Sequence, residues 1–314
     1  MTYIGIQSQI WRNNSRSILL MIAFPLVLLG MVYVFIYATS LYFGDQYQDI
    51  QTINLSFANT VPVVLIGVGI WFLIAWMFHT SLIRRATGSK PLERTENKRV
   101  YNLVENLCIQ AGMKTPKINI IEDSSLNAFA SGINESSFTI SLSRGIIDKL
   151  DDDELESVIA HELSHIRNRD VRLLIISIIF VGIFAFIAEM AFRSIRFGTF
   201  SRRGGKNSAP VVLIAILISA ICYFIALLLR FGISRSREYL ADAGAADMTR
   251  KPYALASALR KIDQDPYIEA VKSRDVAQLF IDNPSHKEKN VSISNLFATH
   301  PPIKKRIELL EQFA

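Results

Sequence analysis

Charged residues are absent from four stretches of the chain, Ser17–Gly44, Ile50–Ile83, Leu173–Ala188 and Asn207–Leu229, of 28, 34, 16 and 23 residues. About 20 apolar residues cross a bilayer as a helix, so Ile18–Phe43 and Val61–Ile83 are predicted to span one. The first follows Arg12 and Arg16, as a secretory signal would. Its apolar run exceeds the roughly 7–15 residues of a signal core and no small-residue cleavage site follows it, so it reads as a retained signal-anchor. The link between the two helices carries Asp45 and Asp49 but no Lys or Arg. Basic residues mark the cytoplasmic side, which puts the N-terminus inside, the link outside, and the chain after Arg84 inside again. The third and fourth stretches are ambiguous. Five basic residues lie between Ala188 and Asn207, where an ordinary hairpin would expose them outside. Either this hairpin crosses against the rule, or it does not fully cross, or both stretches are buried helices of a soluble domain. In every case the chain returns to the side it left.

Between the apolar stretches the pattern is that of a soluble domain. Val100, Leu103, Val104 and Leu107 give Asn97–Gly112 a helical stripe that stops at glycine. Lys117–Ile121 and Phe138–Leu142 are short β-branched runs and read as strands, joined by a link rich in Ser, Asn and Gly. Asp151–Arg169 is predicted as a strong helix, with acids at its start and Arg167 and Arg169 at its end, as the helix dipole favours. Arg237–Met248 is Ala-rich and helical, and Ala254–Ile262 and Ile303–Gln312 are amphipathic. These features divide the chain into a membrane region over 1–83, a first soluble part over 84–170, a hairpin over 171–230 and a second soluble part over 231–314. The exposed loop Gly198–Asn207 is a candidate site of self-cleavage.

Composition narrows the function. Half of the 314 residues are hydrophobic and 20% are charged, with a mean hydropathy of +0.27, which excludes both a wholly soluble globule and a disordered chain. The net charge of +6 comes from basic residues clustered beside the apolar stretches, a placement suited to anionic lipid headgroups rather than nucleic acid. The acidic run Asp151–Glu156 argues further against a nucleic-acid face. Two cysteines, Cys108 and Cys222, lie in different environments and form no disulfide framework.

The chemistry sits in His161-Glu162-Leu163-Ser164-His165, inside the Asp151–Arg169 helix. Residues four apart share a helical face, so both imidazoles can reach one ion. Catalytic zinc takes three protein ligands and a water, whose pKa the metal lowers to about 7. Glu162, one residue along in the same cleft, can take the proton. A third ligand is then missing. His79 ends the second membrane stretch and reads as interfacial, while His286 lies in a polar loop beside Lys287 and reads as solvated. Carboxylates remain. Glu238 and Asp242 lie four apart in the segment Ser234–Asp242, where Glu238 can bind zinc and Asp242 can orient a histidine through its second nitrogen. The competing reading of that segment is an ordinary surface-charged helix.

The HELSH helix, the Ser-Arg-x-Arg-Glu-Tyr-x-Ala-Asp segment after a membrane hairpin, and the order of parts resemble the HtpX-like membrane metalloproteases, gluzincins related to the CAAX prenyl protease. The resemblance covers nearly the whole chain. It includes Asn127-Ala128-Phe129-Ala130-Ser131-Gly132 before the active-site helix, and Thr299-His300-Pro301-Pro302 with Arg306 near the C-terminus. It implies His161, His165 and Glu238 as ligands of one zinc ion, Glu162 as general base and Asp242 as support for a ligand. It also implies that His300 and Arg306 point toward the developing oxyanion, where such donors act selectively on the transition state. The stretch Asn127, Ala128, Phe129, Ala130 is expected to be a substrate-binding strand edge, to which an extended peptide adds through main-chain hydrogen bonds.

The expected fold is α+β and mostly helical: a zincin-type domain with a small sheet, fused to about four transmembrane helices, with one hairpin between the zinc-ligand helices. The expected function is a zinc endopeptidase of the bacterial or archaeal plasma membrane, with its site on the cytoplasmic side. It would degrade misfolded or damaged membrane proteins, perform stress-response quality control and work alongside an ATP-dependent membrane protease. Two other readings are a processing protease for prenylated C-termini and a catalytically silent adaptor. The first rival family carries more membrane helices, and the second has no need of Glu162.

Overall fold

The computed structural model describes residues 6–43, 49–196, 213–221, 223–224, 235–268, 271, 279–281 and 301–312. The chain divides into two compact units. One comprises Met1–Arg16, Phe78–Ile175 and Phe231–Ala314, and the other Ser17–Met77 and Ile176–Arg230.

The second unit is built from the apolar parts of long helices, whose residues 6–16 and 78–87 belong to the first unit. Helix α1 (Ile6–Phe43) and helix α2 (Ile50–Thr87) each run for 38 residues through an internal proline, Pro25 and Pro62. Helices at membrane depth tolerate proline because neighbouring groups re-satisfy the freed backbone. Helix α2 accordingly continues through Pro62 and begins at Ile50, before the expected Val61. Among the described residues, three helical spans, Ile10–Leu41, Ile50–Thr87 and Asp170–Ile187, are long and apolar enough to cross a membrane. Within this unit Phe24 stacks on Phe180 at a centroid distance of 4.2 Å, and the Trp71 indole N–H donates to the Ile179 carbonyl at 3.3 Å. Leu19, Ile22, Leu26, Val63 and Leu73 are exposed instead, as lipid-facing side chains are. Of the fourth uncharged stretch, 213–221 and 223–224 are described and helical; the rest, like the loop 198–207, lies outside the described residues.

The first unit is α+β. Strands β1 (Lys90–Pro91), β2 (Lys117–Ile121), β3 (Ala128–Ser131) and β4 (Thr139–Ser143) form one sheet in the order β1-β2-β4-β3. Strand β2 runs parallel to β4, and the two outer pairs are antiparallel. The expected strands are present. The link between them contains the extra edge strand β3, which turns away at Gly132 (φ 119°), where a Cβ would lie 2.6 Å from the Ser137 carbonyl. Helix α3 (Lys98–Gln110) is capped by the Asn97 side chain and buries Val100, Val104 and Leu107. The short α4 (Arg144–Lys149) follows β4.

Helix α5 (Asp152–Arg167) is the core of this unit, with every residue from Ser157 to Ser164 buried. Its start is a capping box, in which the Asp151 carboxylate accepts the Glu154 N–H and the Glu154 carboxylate accepts the Asp151 N–H. Glu154 also accepts from Lys261 (2.6 Å) and Ser257 (2.7 Å), tying that end to helix α8 (Pro252–Ile262). Helix α6 (Asp170–Arg196) follows after a two-residue turn and continues past Glu189, which pairs with Arg193 one turn on. Helices α7 (Arg235–Thr249) and α9 (Ile303–Glu311) complete the unit.

Candidate metal centre and active site

His161 and His165 lie one turn apart on α5, and their Nε2 atoms are 3.2 Å from each other. Glu238, on the first turns of α7, brings Oε2 to 3.7 Å from Nε2 of His161 and Oε1 to 3.6 Å from Nε2 of His165. The three residues form a group whose ligand atoms all lie within 4.8 Å of one another. Close approach of α7 to α5 makes this possible. A Cβ on Gly244 would lie 2.7 Å from Ser164 Oγ, so the missing side chain lets the two helices close and carries Glu238 to the histidines.

The second nitrogen of each ring faces a carboxylate. Nδ1 of His161 lies 3.0 Å from Asp242 Oδ1, and Nδ1 of His165 lies 3.1 Å from Asp170 Oδ2. The His165 contact is a hydrogen bond, and a neutral imidazole facing a carboxylate on that side carries its proton on Nδ1. Both Nε2 lone pairs then converge on one point alongside a carboxylate, an arrangement that repels itself unless a cation sits between. Two nitrogens bound tetrahedrally to zinc at about 2.0–2.1 Å would stand about 3.3 Å apart, close to the 3.2 Å found here. The donor set therefore fits a zinc ion. The same field acts on protons. Burial opposes a charged His161, yet Asp242 and Glu238 outweigh it and push its pKa up to about 9.

Glu162 is almost fully buried, and that burial raises its pKa above the usual carboxylate range, partly offset by the neighbouring histidines and the Ala130 backbone N–H, which donates to it. A carboxylate held by burial nearer to neutrality is suited to taking and returning a proton. Alternation along β3 explains the Ala130 contact. Residues 129 and 131 face β4, leaving the main-chain groups of Ala128 and Ala130 to point outward. The Ala128 carbonyl accepts Ile281 N–H at 2.9 Å, and its N–H reaches Asn127 Oδ1 at 3.0 Å. Phe280 lies beside Phe129, with ring centroids 4.6 Å apart. The Asn127 amide donates to Pro266 O at 2.9 Å. All four residues expected to form a substrate edge are thus engaged by the chain itself, Ala130 through its N–H to Glu162.

Arg306, 1% exposed, is the largest fully buried side chain among the described residues. It meets Asp242 through two parallel bonds of 2.8 and 2.7 Å and donates to the Ile281 carbonyl at 3.1 Å. Its Nη2 lies 3.4 Å from His161 Nε2, and its Nη1 lies 3.6 Å from Glu238 Oε2. This guanidinium holds the carboxylate that faces a ligand, a contact beyond the oxyanion role that the family resemblance implies. Burial would raise the Asp242 pKa, but Arg306 and His161 outweigh it and keep the carboxylate below its usual range. His300 lies outside the described residues, as does His286.

Asp170 was not anticipated. It is five residues beyond His165, and on a continuous helix it would face away by about 140°. Arg169 adopts a left-handed conformation (φ 61°) between α5 and α6 and turns the chain back, so that Asp170 returns to His165.

Comparison with known proteins places the chain in a family. The sequence model of Peptidase family M48 matches residues 94–314. The chain is 56% identical over 322 aligned residues to a protease HtpX homolog of Bacteroides fragilis, covering all of both chains. It is 40% identical over 254 residues to a protease HtpX homolog of Dictyoglomus turgidum, covering 78% of this chain and 81% of that one. A crystal structure of S. mikatae Ste24p aligns with a TM-score of 0.48 and 20% identity, over 96% of this chain and 66% of that one. The family match and full-length relatives show that the chain belongs to peptidase family M48 and is a membrane metalloprotease.

Proposed function

We propose that the protein is a zinc-dependent endopeptidase that cleaves misfolded or damaged membrane proteins from the cytoplasmic side of a bacterial or archaeal plasma membrane. The observation that carries the zinc reading is the convergence of both Nε2 atoms and the Glu238 carboxylate on one point, with Glu162 buried beside it. A zinc ion held by His161, His165 and Glu238 would supply a Lewis acid that polarises a peptide carbonyl and acidifies water. Glu162 takes a proton from the attacking water and delivers it to the leaving amine. Asp242, fixed by Arg306, and Asp170 hold the two imidazoles in the tautomer and orientation that ligation needs.

The substrate reading rests on the chain's placement. Arg12, Arg16, Arg84 and Arg85 flank the first two apolar stretches on the side assigned to the active site, so the site stays near the bilayer where membrane-protein substrates lie. An extended peptide would reach the β3 edge through the Ala130 carbonyl, a main-chain contact that tolerates varied sequences, as a quality-control protease requires. The chain's division into a membrane region over 1–83, soluble parts over 84–170 and 231–314, and a hairpin over 171–230 belongs to the same proposal, as does cooperation with an ATP-dependent membrane protease.

The test is cleavage by the protein reconstituted in liposomes with its soluble face outward, offered three substrates: a destabilised membrane protein, its folded parent and a prenylated C-terminal peptide. Faster cleavage of the destabilised protein supports the reading. Cleavage of the prenylated peptide alone would replace it with a dedicated processing protease.

A further inference from the structure

Each histidine of the candidate metal centre leans on a carboxylate, and each carboxylate is gripped on its other oxygen by a donor from a distant part of the chain. For His161 the carboxylate is Asp242 and the grip is Arg306. For His165 the carboxylate is Asp170, and the grip comes from the first membrane helix. Asn13 Nδ2 donates to Asp170 Oδ1 at 2.7 Å and to the Asn168 carbonyl at 2.7 Å. Asn13 and Asp170 are each only 2% exposed.

We propose that Asn13 is a positioning residue for the metal ligand His165, acting through Asp170. The physical case is one of restricted rotation. A carboxylate with one oxygen on His165 Nδ1 and the other unrestrained can swing about its side-chain torsion, and the imidazole loses its fixed tautomer and ring plane with it. Asn13 removes that freedom by bonding the second oxygen and the turn from which Asp170 springs. Arg237, also buried, donates to the Asp170 backbone carbonyl at 3.2 Å and fixes the main chain, leaving the carboxylate's orientation to Asn13. Burying an amide is costly unless it is bonded. A buried Asn four residues before the uncharged stretch of α1 is placed where an apolar residue would otherwise serve. The start of the membrane helix is in this way part of the metal centre, and α1 does more than anchor the chain.

The inference rests on reading His161, His165 and Glu238 as the metal ligands, and the experiment separates the two. The full-length protein in detergent is compared with Asn13→Leu, close in size but lacking the donor, with Asn13→Asp, with Asp170→Asn and with the double variant Asn13→Leu/Asp170→Asn. Zinc affinity is measured by competition with a chromophoric chelator, the visible spectrum is recorded with cobalt in place of zinc, and thermal unfolding of the metal-free forms monitors folding. Loss of an outer partner of a ligating histidine lowers metal affinity about 10–100-fold. Asn13→Leu and Asn13→Asp are expected to show such a loss with an altered cobalt spectrum, and with kcat falling more than KM rises at saturating zinc. The double variant is expected to bind zinc no more weakly than Asp170→Asn alone. A merely structural role would lower the unfolding temperature of Asn13→Leu with zinc affinity and cobalt spectrum unchanged, which overturns the proposal. If the wild type binds zinc no better than a His161→Ala/His165→Ala variant, the ligand assignment itself has failed.

Discussion

Arg306 and Asp242 are joined by two parallel hydrogen bonds of 2.8 and 2.7 Å in the interior of the first unit, with Asp242 in turn 3.0 Å from Nδ1 of His161. This bidentate pair makes Arg306 a support for the metal ligand's partner. Removing one member of a buried ion pair leaves the other uncompensated, at about 3–5 kcal/mol. Arg306→Ala is therefore expected to unfold at markedly lower temperature and to bind zinc about 10–100-fold more weakly. Arg306→Lys, which keeps the charge but loses the fork, should fall between. A native melting temperature and native zinc affinity in Arg306→Ala, with only kcat reduced, would return the side chain to the oxyanion role.

The left-handed Arg169 is what brings Asp170 back to His165. Glycine adopts that conformation freely, at the expense of a more flexible unfolded chain, so the two effects nearly cancel. Arg169→Gly should melt within a few degrees of the wild type and keep its zinc. Arg169→Val places a β-branched residue where it is strained, at about 1–3 kcal/mol. Thermal unfolding in detergent distinguishes them, and equal stability of the two variants would contradict the strained-turn account.

Glu154 supplies the pH-dependent component of stability at the start of α5. Burial opposes its charge, but Lys261, Ser257 and the Asp151 N–H outweigh this and hold its pKa below the usual carboxylate value. A depressed carboxylate pKa stabilises the fold above the unfolded-state pKa and ceases to do so as pH falls through the folded value. Glu154→Gln should therefore cost about 1–3 kcal/mol at pH 7. The gap from wild type should close below about pH 4.5. Unfolding of both proteins across that range is the check, and a gap that persists at low pH would assign the effect to packing.

What could be read from the sequence follows from the range of each contact. His161 and His165 are one turn apart and Glu238 and Asp242 are one turn apart, so periodicity alone puts each pair on one face. The helix starts near Asn97 and Asp151 and the strand Lys117–Ile121 are local features and were equally legible. Asp170 was not, because its approach to His165 depends on one left-handed residue that sequence pattern does not announce. Asn13 was hidden for a different reason: its partners lie 155 and 157 residues away, and it reads as the polar end of a membrane helix. The partial covering of the β3 edge by Phe280 and Ile281 arises from a similarly distant segment.

The assignment of Glu162 as the base of a metal-dependent peptidase is tested most directly by comparing wild type with Glu162→Gln in detergent with added zinc, following casein cleavage and quantifying bound metal in both. The glutamine keeps the shape of the buried side chain and cannot accept the proton. The account predicts that both proteins hold about one zinc per chain, as the three-ligand site requires, and that only the wild type cleaves. Equal cleavage by the variant, or zinc-loaded wild type inert toward every unfolded substrate, would contradict it.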